Sequence, residues 1–269
     1  MRDATYEAVP YDLPEIGHDY GDGVHILSDV LALSLLARLG HPDTRQPAFN
    51  RLLERLYGVL FDAVVNHAFP RVDSEVETRM AGAVPGAAYR GETIDPHTRV
   101  VLVGMARAGT LPAYQGFELM NDLLYSEGVR VDHVYMQRRT DKDGRVIGVD
   151  LGGSKFGGGV DKAIVLLPDP MGATGSSMSD AIGLVKALPG VPLEIISLNL
   201  IVTPEFIARV KKDHPRARIY ALRLDRGLSS PEALAARPGS TAGEVGINEV
   251  QYIVPGAGGL GELINNSHV

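Results

Sequence analysis

The stretch that most constrains this chain is Ala163–Ser177, AIVLLPDPMGATGSS. Ala163 to Leu167 are aliphatic without polar alternation, the pattern of a strand covered on both faces and so of a buried parallel sheet. Met178, Ile182, Val185 and Leu188 then recur at helical spacing, which predicts a helix packed back on that sheet. Between the two lie Gly172, Ala173, Thr174 and Gly175, small enough for an anion to reach the backbone. A helix N-terminus offers free N–H groups and the positive end of the helix dipole, so this turn predicts a phosphate site. Asp169 ends the strand with one carboxylate, a group costly to bury unless it is used.

The rest of the chain extends the same architecture. Apolar strands are expected at Val100–Val103, His133–Met136, Ala163–Leu167, Leu193–Ile201 and Arg218–Leu224, alternating with helical patterns. That alternation predicts an α/β fold with a doubly wound, mainly parallel sheet. Ahead of it, Ile26–Leu39 and Pro47–His67 carry helical periodicity, with Leu52, Leu56, Leu60 and Val64 on one stripe. Residues 1–24 read as an extended arm and Thr78–Thr98 as a hairpin or loop excursion. Thr140–Gly159 resembles a long flexible hairpin, and Ser229–Val245 a surface insertion. Residues 25–269 are therefore expected to form one domain, with helices over 26–67, the arm over 78–98 and the core sheet over 99–269.

Ligands of open α/β sheets bind beyond the carboxyl ends of the strands. After Val103 comes Arg107 among small residues, and after Met136 come Arg138 and Arg139. Asp169 and the ATG loop follow Leu167, Thr203-Pro204-Glu205 follow Ile201, and Asp225 and Arg226 follow Leu224. Cations, acids and an anion loop thus converge on one sheet edge.

Composition narrows the classes. The net charge of −7, without a basic run, argues against a nucleic-acid partner. The absence of cysteine removes disulfides and thiolate chemistry, and no apolar run approaches the ~20 residues of a membrane span. The acidic N-terminal stretch lacks the apolar core of a signal peptide, so a cytoplasmic location without membrane association is expected. His133 and His214 are read as structural or surface residues, since no His pair has metal-ligand spacing.

The Ala163–Ser177 turn lacks the GxxxxGK(S/T) of a P-loop and the GxGxxG of a dinucleotide fold. DPMGATGSS instead resembles the phosphoribosyl pyrophosphate (PRPP) signature of type I phosphoribosyltransferases, and most closely the DPMxATGGS form of the uracil phosphoribosyltransferase family. Pro170 stands where most type I relatives have a second acid. Four further segments follow in the family's order. VGMARAGT is similar to PILRAG, MQRR to M-x-R, VTPEFIARVKKDHP to A-A-P-E-G…HP, and INEVQYIVPGAGGLGE to LNExGYIxPGLGDAGD.

The resemblance implies transfer of a phosphoribosyl group from PRPP to uracil, giving UMP and pyrophosphate, with Mg²⁺ carried by PRPP rather than ligated by side chains. It implies Arg107 and Arg138 on the pyrophosphate. Asp169 would serve the ribose hydroxyls or a water-bridged Mg²⁺. The run Pro170, Met171, Gly172, Ala173, Thr174, Gly175, Ser176 and Ser177 would cradle PRPP, its last five residues holding the 5′-phosphate. Ile253, Gly258, Gly259 and Leu260 would face the base, with Asp225 either part of that pocket or a core hydrogen-bonder. Relatives are commonly dimers with exchanged arms, and a homodimer or higher homo-oligomer is expected here.

Two departures keep other readings open. Gly259 stands where the family has the first Asp of GLGDAGD, with Glu262 at the later acid position, and DKDGRVIGVDLGGSKFGGG replaces an acidic and aromatic hairpin. A non-catalytic PRPP- or nucleotide-binding homologue, or a transferase acting on a different base, therefore stand beside the uracil enzyme.

Overall fold

The computed structural model describes residues 3–140 and 146–267; for 137–140 and 146–151 it describes the backbone only. The described strands are β1 (Val24–Ile26), β2 (Arg71–Glu77), β3 (Ala88–Ile94), β4 (Arg99–Ala106), β5 (Val129–Thr140), β6 (Val146–Lys155), β7 (Ala163–Pro168), β8 (Met171–Gly172), β9 (Glu194–Val202) and β10 (Arg218–Leu224). The helices are α1 (Val30–Leu39), α2 (Ala48–Ala68), α3 (Thr110–Leu123), α4 (Ser176–Lys186), α5 (Pro204–Asp213), α6 (Pro231–Ala235) and α7 (Leu260–Asn265). One sheet runs β1-β10-β9-β7-β4-β5-β6, parallel except for β6, and β8 pairs with β9 beyond the end of β7.

The sheet is buried on both faces, as the unbroken aliphatic run in β7 predicts. Ile164 and Leu166 point into a core shared with α1, α2, α3 and α7. Ala163, Val165 and Leu167 point the other way, against Met178, Ala181, Ile182 and Val185 of α4 and Phe206, Ile207 and Val210 of α5. In α2, Leu53, Leu56, Leu60 and Phe61 are wholly buried. Truncating a residue so placed to Ala costs about 3–5 kcal/mol.

The structure revises several expected boundaries. Ile26 is not helical: it belongs to β1, the sheet edge beside β10, and the helix starts at Val30 behind Asp29, whose side chain accepts from Ala32 N–H. A three-residue strand is too short to register as a periodicity, so the sheet begins well before residue 99. The excursion expected over Thr78–Thr98 is a two-stranded hairpin that opens earlier, at Arg71. The expected hairpin over Thr140–Gly159 pairs β5 with β6 antiparallel, its tip at 141–145 lying outside the described residues. The surface insertion expected over Ser229–Val245 is tied to the rest of the fold. The Glu244 carboxylate, almost fully buried, pairs with Arg226 and accepts from the Tyr20 hydroxyl.

A polar cluster holds the β1 edge. His25, nearly buried, lies 3.0 Å from Glu15 through Nδ1, while Arg218 reaches its Nε2 at 3.1 Å. This pattern assigns the neutral tautomer with the proton on Nδ1. His67 Nδ1 accepts from the Tyr220 hydroxyl at 3.0 Å, and the two histidine rings meet edge-on with centroids 4.9 Å apart. Burial, then the charge of Arg218, pushes the His25 pKa down to about 3, with His67, His18 and Lys211 acting in the same direction.

The unfolded chain binds that proton near pH 6.5 and the folded chain does not until about pH 3, so stability drains away as pH falls through this window. We expect up to about 2 kcal/mol to be lost by pH 5 through His25. Urea unfolding across pH 7.5 to 5 checks this: the His25→Gln variant should show a flatter dependence than the parent, and an equal slope would exclude His25 as the source.

Candidate active site

The site forms where the chain leaves the sheet in opposite directions. After β4, helix α3 packs on the face that carries α1 and α2; after the adjacent β7, α4 packs on the other. The two connections part, which by the general rule for open α/β sheets puts a ligand crevice between their loops at the carboxyl ends of β4 and β7. On its β4 side the crevice carries Ala106–Gly109, whose Ala106–Arg107 peptide is cis. A Cβ on Gly109 would come within 2.6 Å of the Pro168 carbonyl oxygen, so glycine lets this loop lie directly against the end of β7. The Arg107 loop and the start of the Asp169–Ser177 turn are therefore side by side.

The turn is held rigidly from beneath. Asp169 N–H donates to Leu198 O at 2.9 Å, and its carbonyl accepts from the buried Asn199 side chain at 2.6 Å. Pro170 O accepts from Leu200 and Ile201 N–H, so proline keeps the backbone acceptor this position needs while giving up a second acid. Met171 and Gly172 pair with Ile201 and Val202, and Ala173 O accepts from Thr203 Oγ1 at 2.6 Å. Thr203 works twice, because the same oxygen caps α5 by accepting from Phe206 N–H.

Gly175 sits at φ 78°, in the left-handed region open to glycine, and ends against Phe206 O and Arg209 Cβ. It caps α4 with no side chain of its own; the nearest side-chain acceptor is Thr174 Oγ1, 3.4 Å from Ser176 N. The first-turn amides of α4 thus face outward beside the half-exposed Thr174, Ser176 and Ser177. That is an arrangement for an oxyanion. Asp169 stands close enough to the buried Tyr57 that its charge adds to burial in raising the Tyr57 pKa.

Arg107 is half-exposed and engaged by the C-terminal segment: Nη2 donates to Glu262 at 3.2 Å and Nη1 to Ser267 Oγ at 2.7 Å. The Arg138 and Arg139 side chains lie outside the described residues, so their expected part in the site stands on sequence alone. Arg226, which the sequence groups with the cations of this edge, turns away from it. Its guanidinium donates to the carbonyls of Ala233, Leu234 and Ala236 as well as to Glu244.

The last loop crosses the same end of the sheet. Ile253 is buried and bridges Ile247 antiparallel, while Leu260 anchors α7 in the core. Their side chains are thus committed to packing, and Gly258 and Gly259 present backbone between them. Asp225, 2% exposed, takes two hydrogen bonds from Arg223 at 2.6 and 2.7 Å and accepts from Gly256 N–H at 2.8 Å. It acts as a brace for the loop rather than as an open pocket wall. Glu205 braces the other end, accepting from Gly246 N–H at 2.9 Å, and Val254 N–H closes back on Gly246 O.

The sequence already sets Glu205 just after a strand end and Glu262 at the later acid position of the last loop, but not their partners. Arg223 and Ser267 are absent from the sequence-based site: nothing local shows that Arg223 turns onto Asp225 two residues on, and Ser267 meets Arg107 from 160 positions away.

Removing the Glu205 carboxylate leaves the buried Gly246 N–H without its acceptor, a loss of about 1–3 kcal/mol. Glu205→Ala should lower the melting temperature and speed amide exchange at Gly246 and Val254, with Glu205→Gln intermediate. Unchanged exchange would show that water replaces the carboxylate.

Comparison with known proteins places the chain in a family. The family model for uracil phosphoribosyltransferase matches residues 26–244. A uracil phosphoribosyltransferase from Variovorax paradoxus is 29% identical over 241 residues, covering 90% of this chain and 97% of its own. One from Pyrobaculum arsenaticum is 30% identical over 239 residues, covering 89% and 97%. Among solved structures, the AQ2163 protein from Aquifex aeolicus shares the fold with a TM-score of 0.69 at 20% identity, over 91% of this chain and 99% of that one. The chain belongs to the uracil phosphoribosyltransferase family.

Proposed function

We propose that this protein transfers the phosphoribosyl group of PRPP to uracil. Family membership supports the reaction class, and the crevice between β4 and β7 supports the site. The observation that carries the reading is the turn from Asp169 to Ser177, whose backbone is fixed from below and whose helix amides are left facing outward. In this reading Ala173–Ser177 hold the 5′-phosphate, and Pro170, Met171 and Gly172 form the floor beside the ribose. A uracil ring nitrogen forms a bond to C1 while the bond from C1 to the diphosphate oxygen breaks. The diphosphate departs with the electron pair, and the uracil proton passes to solvent.

Arg107 and Arg138 offset charge on the leaving group, and a planar guanidinium fork can grip two phosphate oxygens together. PRPP brings Mg²⁺ with it. Among the described residues no three His, Asp or Glu side chains cluster as a metal cage, and Asp169 is the hard oxygen donor suited to such an ion or to the ribose hydroxyls. Uracil meets the backbone of Ile253, Gly258, Gly259 and Leu260, held in place by Asp225. Its alternating C=O and N–H edge complements main-chain groups.

The reading extends to a homodimer, supported by exposed Val72, Val76, Met80 and Val84 on the β2–β3 arm and exposed Val30 and Leu31 on α1. No described helix is long and apolar enough to cross a membrane. A cytoplasmic location completes the proposal.

Incubation with PRPP, Mg²⁺ and a panel of bases should release pyrophosphate with uracil; PRPP binding without turnover on any base would sink the assignment as an enzyme. Arg107→Ala should weaken PRPP binding roughly ten- to a hundredfold, the scale of a lost charge-assisted contact. Gly259→Asp should raise the rate with uracil by restoring the family's acid, and an unchanged or lower rate counts against that role for the position.

A further inference from the structure

Arg107 does not wait free for an anion. Its two terminal nitrogens are both occupied by one short segment, Nη2 by the Glu262 carboxylate and Nη1 by Ser267 Oγ. The backbone carrying these groups is fixed. Leu260 and Ile264 of α7 are buried, and the Gln46 side chain, just ahead of α2, donates to Leu263 O and Ile264 O. Ser267 N–H closes on Glu262 O at 3.0 Å. Glu262 itself is not fixed: its side chain is 43% exposed and has open solvent to swing into.

Residue 259 borders its path. A Cβ there would press on Glu262 Oε2, so the carboxylate on its way to Arg107 crosses space that a side chain at 259 would share. Glycine at this position leaves that space to Glu262.

We propose that Glu262 is a residue that sets PRPP affinity by competing with the diphosphate for Arg107. A carboxylate presents two oxygens to a guanidinium much as a phosphate does, with less charge. The diphosphate displaces it by its greater charge, and the helix need not move. Bound substrate thereby releases the Glu262 side chain from Arg107 into solvent. This inference rests on the reading of Arg107 as a diphosphate ligand, and the test separates the two.

PRPP with Mg²⁺ is titrated calorimetrically into the parent, Glu262→Gln, Arg107→Ala and the double variant. Glu262→Gln should tighten binding about three- to fivefold, the scale of one exposed ion pair removed. Gained affinity is not a result that a damaged fold produces. In the Arg107→Ala background the same change should have no effect, because the contested guanidinium is gone. If Arg107→Ala weakens binding while Glu262→Gln leaves it equal or weaker, the competition is overturned and the site stands. If Arg107→Ala leaves PRPP affinity intact, the reading of Arg107 itself falls.

Discussion

The divergence of the chain at β4 and β7 is the constraint on which the rest depends. These strands are neighbours in register, Leu102 beside Leu166, yet their following helices must cover opposite faces of the sheet. The faces demand it, since β4 and β7 are aliphatic on both sides and each side needs a helix to exclude water. The two loops touch where Gly109 lies against the end of β7 and then part, which leaves Arg107 and the Asp169–Ser177 turn at the place where open α/β sheets take their ligands.

Around that crevice, buried polar groups spend their hydrogen bonds on position. Asn199 holds the Asp169 carbonyl, Thr203 holds Ala173, Asp225 holds Gly256 and Glu205 holds Gly246. Each contributes a modest net energy, but each would leave a buried group unpaired if lost, and that penalty is the larger quantity. Irregular backbone is thus kept in one conformation by ties to strand and helix ends. Where ties are exposed, as at Arg107 and Glu262, little energy opposes exchange with solvent or substrate. Rigid cradle and releasable cation differ mainly in burial.

Much of this was legible in residues. The aliphatic run of Ala163–Leu167 and the helical stripe beginning at Met178 were enough to predict strand, turn and helix in order, because burial on two faces and on one stripe leave distinct periodicities. The α2 stripe of Leu52, Leu56, Leu60 and Val64 was legible for the same reason, as was the order of family segments. β1 was not, because three residues carry no period. The direction of Arg226 was not legible either, since a position beyond a strand end does not say which way a long side chain turns. Its partner Glu244 lies eighteen residues on.

Sequence alone determined the α/β class, the parallel sheet, the small-residue turn between β7 and α4 and the family, all consequences of local pattern and of motif order. Tertiary structure decided that Asp225 spends its carboxylate on Arg223 and Gly256, that Glu205 clamps the far end of the same loop, and that Gly259 leaves room for Glu262 to reach Arg107. The physical reason is that no local periodicity encodes which way a side chain turns or which distant backbone it meets. Arg223 and Asp225 are two residues apart, yet their pairing, like the bond from Gly246 to Glu205 across 41 positions and from Arg107 to Glu262 across 155, exists only once packing has fixed the backbones.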